Sequence, residues 1–146
     1  MTKIQIGHYS KRMLNNKRVL VTGSDGQLGK TLQKRSKDIS GFEWIFLPKE
    51  KLDITKITEI QAAFKKYNPS YCINCAAFTN VMKSEKQPSL AHKINVEGVK
   101  KITQTCNDNE SILIHISTDY VFDGTKKRPY LENDKANPLN AYGMTK

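Results

Sequence analysis

Long hydrophobic runs and a cysteine framework are both absent from this chain of 146 residues. No apolar stretch approaches the roughly 20 residues that cross a bilayer, and the N-terminus has no apolar core of the signal-peptide type. We therefore expect a cytoplasmic protein without a membrane partner. No internal repeat or low-complexity segment is present, and the length suits one domain with its own core.

The three cysteines are too few for a disulfide framework. Cys72 and Cys75 have the spacing of a redox or metal pair, but they lie in an apolar run that is typical of a strand. Because residues three apart on a strand point to opposite faces, their sulfurs should not meet. We expect Cys72, Cys75 and Cys106 to be buried structural thiols.

Acidic residues are scarce relative to basic ones, 14 against 24, and the formal net charge is +10. Such an excess raises nucleic acid or an anionic surface as a partner. No stripe of interleaved aromatics accompanies the lysines, which are scattered over positions where helices would face solvent. We therefore predict solvated helix faces and no nucleic-acid partner; the lysines in question include Lys34, Lys37, Lys65, Lys66, Lys100 and Lys101.

Short apolar runs alternate with segments of helical periodicity, which is typical of a parallel sheet covered by helices. The pattern predicts an α/β fold with a Rossmann-type doubly wound sheet in three layers, αβα. Residues 1–17 are expected to be a flexible lead-in and residues 18–146 one nucleotide-binding domain. Strands are predicted at 19–21, 42–47, 52–54, 71–75 and 112–116, and helices at 27–37, 56–67 (with Thr55 as its N-cap) and 89–107.

Three glycines follow the first predicted strand at once. Gly23 allows a tight turn, Gly26 lets the backbone approach a pyrophosphate, and Gly29 lets the next helix pack on the sheet. The N–H groups at the start of that helix would face the phosphates. A strand before the glycines and a helix after them favour a dinucleotide site over a plain loop.

Two further strand ends bear on a nucleotide. After the second strand the chain has Lys49, where many NAD enzymes carry an acidic residue for the ribose. A lysine there would suit a 2′-phosphate, although a basic turn in solvent explains it equally well. After the fourth strand, Ala76 and Ala77 would let a ribose or ring lie close to the backbone, and a tightly packed junction is the alternative.

Candidate catalytic groups lie at the C-terminal end of the sequence. Tyr142 and Lys146 are four residues apart, so on a helix they would lie one above the other. The positive charge of the lysine favours the phenolate, which suits a tyrosine that exchanges a proton. Thr118 would give a second hydrogen bond to a substrate carbonyl. His115 is expected to be a partly buried histidine with its hydrogen bonds satisfied.

With these motifs the chain resembles the extended short-chain dehydrogenase/reductases, and within them the reductases of dTDP-linked 4-keto-6-deoxy sugars. The matching stretches extend over nearly everything from residue 18 to 146. The run from His115 to Gly124 is more specific than the glycine motif. The other matching stretches are Val21–Gly29, Leu52–Thr55, Ile73–Thr79 and Asn137–Tyr142.

The resemblance implies reduction of the C4 keto group of dTDP-4-dehydro-6-deoxy-L-mannose to dTDP-L-rhamnose, with NADPH or NADH as cofactor. It implies a dTDP-sugar as substrate and allows a homodimer. Tyr142 would protonate the C4 oxygen, Thr118 would hydrogen-bond it, and Lys146 would hold the nicotinamide ribose. Thr118 and Asp119 would contact substrate. The implied cofactor residues are Gly23, Asp25, Gly26, Gln27, Leu28, Gly29, Lys49, Asp53, Ile54, Ala76, Ala77, Phe78, Thr79, Tyr142 and Lys146.

Three features depart from the family. Met82 stands where an acidic residue is usual. Thr31 stands where some members carry a glutamate that binds magnesium, so we predict no such metal. The chain stops at Lys146, before the sixth strand and the sugar-binding region of the family, so we expect the N-terminal part of a longer enzyme that is inactive by itself.

Two alternatives stay open. Proteins of this fold also act as regulatory subunits that bind a nucleotide without turnover, and an intact Thr118, Tyr142 and Lys146 favours the enzyme. The other alternative is a sugar-nucleotide epimerase or 4,6-dehydratase. A dehydratase would need an acidic pair after Thr118, but here Asp119 is followed by Tyr120.

Overall fold

The structure is a computed structural model that describes residues 17–146. Within that range all strands are parallel and form one sheet in the order β2-β1-β3-β4. The lead-in predicted at residues 1–17 lies outside the described residues except for Lys17. The strands are β1 (Arg18–Thr22), β2 (Glu43–Leu47), β3 (Tyr71–Asn74) and β4 (Ile112–His115).

Helices fill the connections between the strands, which confirms the predicted Rossmann-type doubly wound fold. A π-helical segment, Lys93–Gly98, joins two α-helices into the long helix predicted at 89–107. Short 3-10 turns follow the first helix, at Ser36–Asp38, and β4, at Asp119–Val121. The helices are α1 (Gln27–Arg35), α2 (Ile57–Tyr67), α3 (Val81–Lys86), α4 (Pro88–His92), α5 (Val99–Asp108) and α6 (Ala141–Met144).

The strand predicted at 52–54 is wrong. Leu52 and Ile54 are buried, as their alternation with Asp53 indicates, but the segment forms turns. Its backbone groups find local partners, since the Leu52 N–H donates to Pro48 and the Asp53 N–H donates to the carboxylate of Glu59. With its hydrogen bonds made locally, the segment contributes apolar side chains to the core without joining the sheet.

Two details of the helices also differ from the prediction. The N-cap of α2 is Lys56, because the hydroxyl of Thr55 donates instead to Asp53 Oδ1 at 2.8 Å. The segment after Thr79, predicted as a loop, contains α3. Asn80 caps this helix by accepting the N–H of Lys83 at 2.8 Å, which is the usual role of asparagine at a helix start.

The main core lies where α2 and α5 pack against the sheet. Ile60, Ala63 and Phe64 of α2 are buried, and their spacing places them on one face of the helix. Burial of such apolar side chains is the principal force that holds helices on a sheet. The rest of this core is formed by Leu20, Leu47, Leu52, Ile54, Cys72, Ile102 and Cys106.

All three cysteines are free. Cys72 and Cys106 are buried in the core as predicted, and a hydrogen bond between their side chains, together with burial, raises the pKa of the Cys72 thiol. Cys75 is different. β3 ends at Asn74, so Cys75 lies beyond the strand and is only half-buried beside the cleft described below.

Candidate nucleotide-binding and catalytic site

A cleft of about 390 Å³ opens at the carboxyl ends of β1, β2 and β3. This is the edge at which parallel α/β sheets bind ligands. The α4 helix and the start of the π-helical segment close the cleft on the far side through Leu90, Lys93 and Ile94. Its other lining residues are Gly23, Asp25, Gly26, Lys49, Leu52, Asp53, Ile54, Thr55, Cys75, Ala76, Ala77 and Phe78.

The glycine turn forms one wall of the cleft by close backbone contact. Gly23 has a φ of +59°, and a Cβ there would lie 2.7 Å from the Cα of Ala76. Gly29 packs in the same way, because a Cβ would lie 2.5 Å from the Cα of Ser24. Both positions therefore admit glycine alone, as the spacing predicts.

The start of α1 is open towards an anion. Gly26 occupies the N-cap and offers no side-chain cap. The N–H groups of Gln27, Leu28 and Gly29 come before the first intrahelical bond, which the N–H of Lys30 donates to Gly26. Together with the positive end of the helix dipole, these groups fit the diphosphate of a dinucleotide.

Asp53 and Lys49 lie together in the lining of the cleft. Burial by itself would raise the pKa of Asp53, but the N–H and hydroxyl of Thr55 hydrogen-bond the carboxylate, and the charges of Lys49 and Lys56 add to them. The net effect is that the pKa of Asp53 is lowered. The carboxylate is therefore ionised at neutral pH, and its partner charge at this end of the cleft is Lys49.

Three polar side chains form a row across the floor beneath the cleft. Thr22, Asn74 and His115 are paired in register on β1, β3 and β4. The hydroxyl of Thr22 donates to Asn74 Oδ1 at 2.6 Å, and Asn74 Nδ2 lies 3.2 Å from His115 Nδ1. Asn74 Oδ1 also accepts the N–H of Ala76 at 3.2 Å. The row thus reaches the backbone that lines the cleft.

The candidate catalytic residues lie beyond β4, apart from the lining of this cleft. The hydroxyl of Thr118 donates to Asp119 Oδ1 at 3.0 Å and accepts the N–H of Tyr120. Lys146 Nζ donates to the Ile116 carbonyl at 2.7 Å, and burial lowers the pKa of Lys146. Tyr142 is buried.

The predicted helix face that carries both Tyr142 and Lys146 is only partly formed. The α6 helix ends at Met144, so Lys146 lies beyond it, although its N–H still donates to the Gly143 carbonyl.

Contacts from distant elements position Tyr142. Its ring meets that of Tyr120 edge to face, with centroids 5.7 Å apart. Gly143 packs so closely on the 3-10 turn that a Cβ would lie 2.2 Å from the Tyr120 carbonyl oxygen. The start of α6 is held by Asn140, which accepts from Gly143, and by Glu85, which accepts the Ala141 N–H at 2.7 Å.

Asn95 joins the cleft to the segment that carries Tyr142, and the sequence analysis gave it no role. It lies in the π-helical segment and is buried. Its Oδ1 accepts the N–H of Phe78 at 2.7 Å, while Nδ2 donates to the Phe78 carbonyl and to Thr145 Oγ1, both at 3.0 Å. A π-helical insertion in a long helix is the signal that marks such a site.

The cleft brings together most of the cofactor residues that the resemblance implies. Thr79 is exposed and does not line it, and Tyr142 and Lys146 lie towards β4. Gln27, Leu28 and Gly29 are in the first turn of α1 and are not part of the lining either. Leu52, Thr55, Cys75, Leu90, Lys93 and Ile94 were not assigned to the site from sequence. The predicted members that line the cleft are Gly23, Asp25, Gly26, Lys49, Asp53, Ile54, Ala76, Ala77 and Phe78.

Residues 17–146 contain neither a helix that could cross a membrane nor a cluster of metal-binding side chains. None of the helices in this range has the length and apolar character to span a bilayer. No group of three or more histidine, cysteine, aspartate or glutamate side chains in the same range is placed to hold a metal ion.

Comparison with known proteins gives consistent relatives. The dTDP-4-dehydrorhamnose reductase of Aggregatibacter actinomycetemcomitans is 39% identical over 129 residues, which is 88% of this chain and 44% of the relative. The crystal structure of dTDP-4-dehydrorhamnose reductase from Bacillus anthracis in complex with NADP has a TM-score of 0.84 and 36% identity. The match covers 89% of this chain and 46% of that one.

A second solved structure agrees. The dTDP-4-dehydrorhamnose reductase of Clostridium acetobutylicum has a TM-score of 0.84 and 42% identity, over 88% of this chain and 45% of that one. This chain thus spans less than half the length of the relatives it matches. A family model described as the RmlD substrate binding domain matches residues 17–146, and the chain belongs to that family.

Proposed function

We propose that this chain is the nucleotide-binding and catalytic part of an NAD(P)H-dependent reductase. The substrate is dTDP-4-dehydro-6-deoxy-L-mannose, whose C4 keto group is reduced to give dTDP-L-rhamnose. The observation that carries the proposal is the cleft at the carboxyl ends of the strands, with the open start of α1 on one side and Tyr142 beyond the other. The relatives named as dTDP-4-dehydrorhamnose reductases support the substrate class.

The residues present fit a dinucleotide. Gly23 and Gly26 leave room for backbone contact with a diphosphate. The diphosphate would accept hydrogen bonds from the N–H groups at the start of α1, which have no side-chain cap. Asp53 and Ile54 would border the adenine, and Ala77 to Thr79 the second ribose. NADPH or NADH bound there would supply a hydride to the substrate carbonyl carbon.

Three side chains of this chain would then act on the carbonyl oxygen and its surroundings. Tyr142, held by Tyr120 and by the capped start of α6, would donate its phenolic proton to the oxygen. Thr118 would turn its hydroxyl from Asp119 to the same oxygen. Lys146, whose ammonium is partly desolvated, would stabilise the tyrosinate left behind and hold a ribose.

Several finer assignments belong to the same proposal. Residues 18–146 form one nucleotide-binding domain of the extended short-chain dehydrogenase/reductase class, preceded by a lead-in. The protein acts in the cytoplasm, without a nucleic-acid or membrane partner, and as a homodimer. Asp119 contacts the substrate. The relatives named as dTDP-4-dehydrorhamnose reductases support this class of substrate.

Cofactor choice tests the adenosine end of the cleft. We expect this chain to bind NADPH and NADH in calorimetric titrations, with NADPH favoured because Lys49 can meet a 2′-phosphate. Lys49→Gln should remove about tenfold of that preference, whereas Lys51→Gln, at an exposed neighbour outside the cleft, should keep it. No binding of either cofactor by a folded chain would reject the nucleotide site.

Turnover can be measured in a chimaera. Residues 17–146 would replace the matching segment of the Bacillus anthracis reductase, which is 36% identical. We expect reduction of the dTDP-4-keto sugar, and Tyr142→Phe should slow it at least about 100-fold while cofactor binding persists. Tyr67→Phe, on α2, is the control. Equal turnover in the Tyr142→Phe chimaera would contradict the assigned proton donor.

A second function, nucleotide binding without turnover, remains as the alternative, and one observation favours it. Thr118 and Lys146 are engaged with Asp119 and with the Ile116 carbonyl rather than with Tyr142. A chimaera that binds cofactor but reduces no sugar would favour this alternative.

A further inference from the structure

The row formed by Thr22, Asn74 and His115 contains a titratable group that the proposed reaction does not use. His115 ends the row on β4 and is partly buried. On its other side, Asn74 contacts the cleft. Its Oδ1 accepts a hydrogen bond from the N–H of Ala76, and Ala76 belongs to the wall of the cleft. The ring of His115 is thus connected to that wall through two hydrogen bonds.

The hydrogen-bond partners determine which nitrogen of His115 carries the proton. The N–H of Ala76 can only donate, so the atom of Asn74 that faces it is the oxygen. The atom that faces His115 is then the amide nitrogen, which can also only donate. Nδ1 of His115 must therefore accept, and the proton of the neutral ring lies on Nε2.

The surroundings favour this neutral form. Burial and then the charge of Lys146 lower the pKa of His115. Lys100 from α5 lines the same groove as His115 and Lys146, and its ammonium is paired with the carboxylate of Glu97 at 3.0 Å. A proton on Nδ1 would place two donors against each other, and Asn74 would have to turn, giving up the oxygen that Ala76 and Thr22 use.

Close packing makes the position of Ala76 sensitive to such a change. Gly23 approaches it so nearly that a Cβ on the glycine would lie 2.7 Å from both the nitrogen and the Cα of Ala76. Movement of Ala76 therefore alters the contact between the glycine turn and the residues that follow β3, and both belong to the wall of the cleft.

We propose that His115 is a positioning residue of the nucleotide cleft: its unprotonated Nδ1 completes the row of side chains that holds Ala76 in place. Acid that protonates Nδ1 loosens this wall and weakens nucleotide binding. The binding part of this inference rests on the proposed function, whereas the row and its tautomer do not.

The tautomer is tested by nitrogen NMR of this chain with labelled histidine. Three histidines are present, and the signals lost in His115→Asn identify His115. We expect a bare Nδ1 and a protonated Nε2 at a pH of about 8. A proton on Nδ1 at that pH would overturn the proposal.

The coupling is tested by calorimetric binding of NADP⁺ at a pH of about 8 and at an acid pH at which the same NMR signals show that the ring of His115 is protonated. His115→Asn keeps an acceptor near the position of Nδ1 and cannot titrate, whereas His115→Leu has no acceptor. We expect acid to weaken binding by about three- to tenfold more in the wild type than in His115→Asn, since one hydrogen bond is at stake. His115→Leu should bind weakly at both pH values, and His115→Asn should restore binding in acid.

Equal acid sensitivity of the wild type and His115→Asn would overturn the proposal, as would stronger wild-type binding in acid. Amide exchange of the Ala76 N–H, compared between these two proteins at the same pH, serves as a readout without ligand. It should be faster in the wild type only in acid. If NADP⁺ binds to none of the proteins, the proposed function fails, and the exchange result then decides the role of His115.

Discussion

At the scale of single residues, two glycines with a left-handed backbone differ in how closely they are packed. Gly23 and Gly124 both have a positive φ, +59° and +73°. A Cβ on Gly124 would meet nothing within 4 Å, whereas one on Gly23 would overlap the backbone of Ala76. Gly124 therefore allows only a turn, whereas Gly23 also allows close contact between two strand ends.

The pair gives a prediction with an internal control. Gly124→Ala should reduce the free energy of unfolding by about 1 kcal/mol, the usual cost of a left-handed alanine. Gly23→Ala should cost about 3 kcal/mol or more, because overpacking against backbone adds to that cost. Urea unfolding of both variants measures the difference. Similar losses would show that the contact between Gly23 and Ala76 is not tight in solution.

Among the elements, the helix that runs from Pro88 to Asp108 does more than cover the sheet. Its π-helical segment turns Asn95 inward, and the amide links Phe78 at the cleft to Thr145 beside Tyr142. The hydroxyl of Thr145 donates to the Tyr142 carbonyl, so its oxygen can only accept from Asn95. The hydrogen bond between Asn95 and Thr145 therefore requires a donor on the side chain of Asn95.

Asn95→Asp tests this link. An ionised carboxylate only accepts hydrogen bonds, so it would face the Phe78 carbonyl and the Thr145 oxygen without a donor. We expect a loss of about 2 kcal/mol in the free energy of unfolding and weaker cofactor binding. Asn107→Asp, on the exposed side of α5, is the matched control. An unchanged unfolding midpoint in Asn95→Asp would contradict the bridge.

A second element, the loop from Phe122 to Asn137, is organised by one carboxylate. Asp123 accepts hydrogen bonds from the Asn137 amide, from the N–H and hydroxyl of Thr125, and from the Tyr130 hydroxyl. These bonds, that from Asn137 foremost, hold the pKa of Asp123 well below its ordinary value of 3.8. The loop thus has its own polar anchor between Thr118 and Tyr142.

The pH dependence of stability follows from that anchor. Because the pKa of Asp123 is lower in the folded state, its stabilisation is fully present above pH 3.8 and is lost as the pH falls below that value. Asp123→Asn should flatten this acid limb of the unfolding midpoint, and Asp38→Asn, at an exposed 3-10 turn, should not. Identical acid limbs in the wild type and Asp123→Asn would contradict the assignment.

For the whole molecule, charge and sheet topology matter together. The formal net charge is +10, and the cleft contains Lys49 and Lys93 beside Asp25 and Asp53. Most of the lysines named from the sequence are exposed, in agreement with solvated helix faces. Lys101 is an exception, since its Nζ donates to the Thr55 carbonyl at 2.8 Å and ties α5 to the loop before α2.

The salt dependence of cofactor binding should show how strongly the positive charge of the molecule attracts anionic cofactors. Raising NaCl from about 0.05 M to about 0.5 M shortens the Debye length roughly threefold, so binding of anionic cofactors should weaken. NADPH should lose more affinity than NADH, because its 2′-phosphate adds charge that the basic molecule attracts. Titration calorimetry at both salt concentrations measures the two losses. Equal losses would indicate that the 2′-phosphate lies outside the field of the lysines.

Local patterns in the sequence were enough for the four strands of the sheet, the longer helices and the glycine turn. Strand and helix periodicity and glycine spacing act over a few residues, which is why they can be recognised without coordinates. The failure at Leu52–Ile54 is of another kind. Apolar residues at 52 and 54 do not show whether the backbone pairs with a strand, and here Pro48 and Glu59 accept its N–H groups outside the sheet.

By itself, the sequence determined the doubly wound fold and the position of a glycine turn at the end of β1. Only the tertiary structure decided the groups that hold this site. Asn74 meets His115 across 41 residues, and Asn95 meets Thr145 across 50. Such contacts depend on strand register and on a π-helical turn. The hydrogen-bond partners of a buried amide are fixed only after packing has removed water and left no other donors or acceptors within reach.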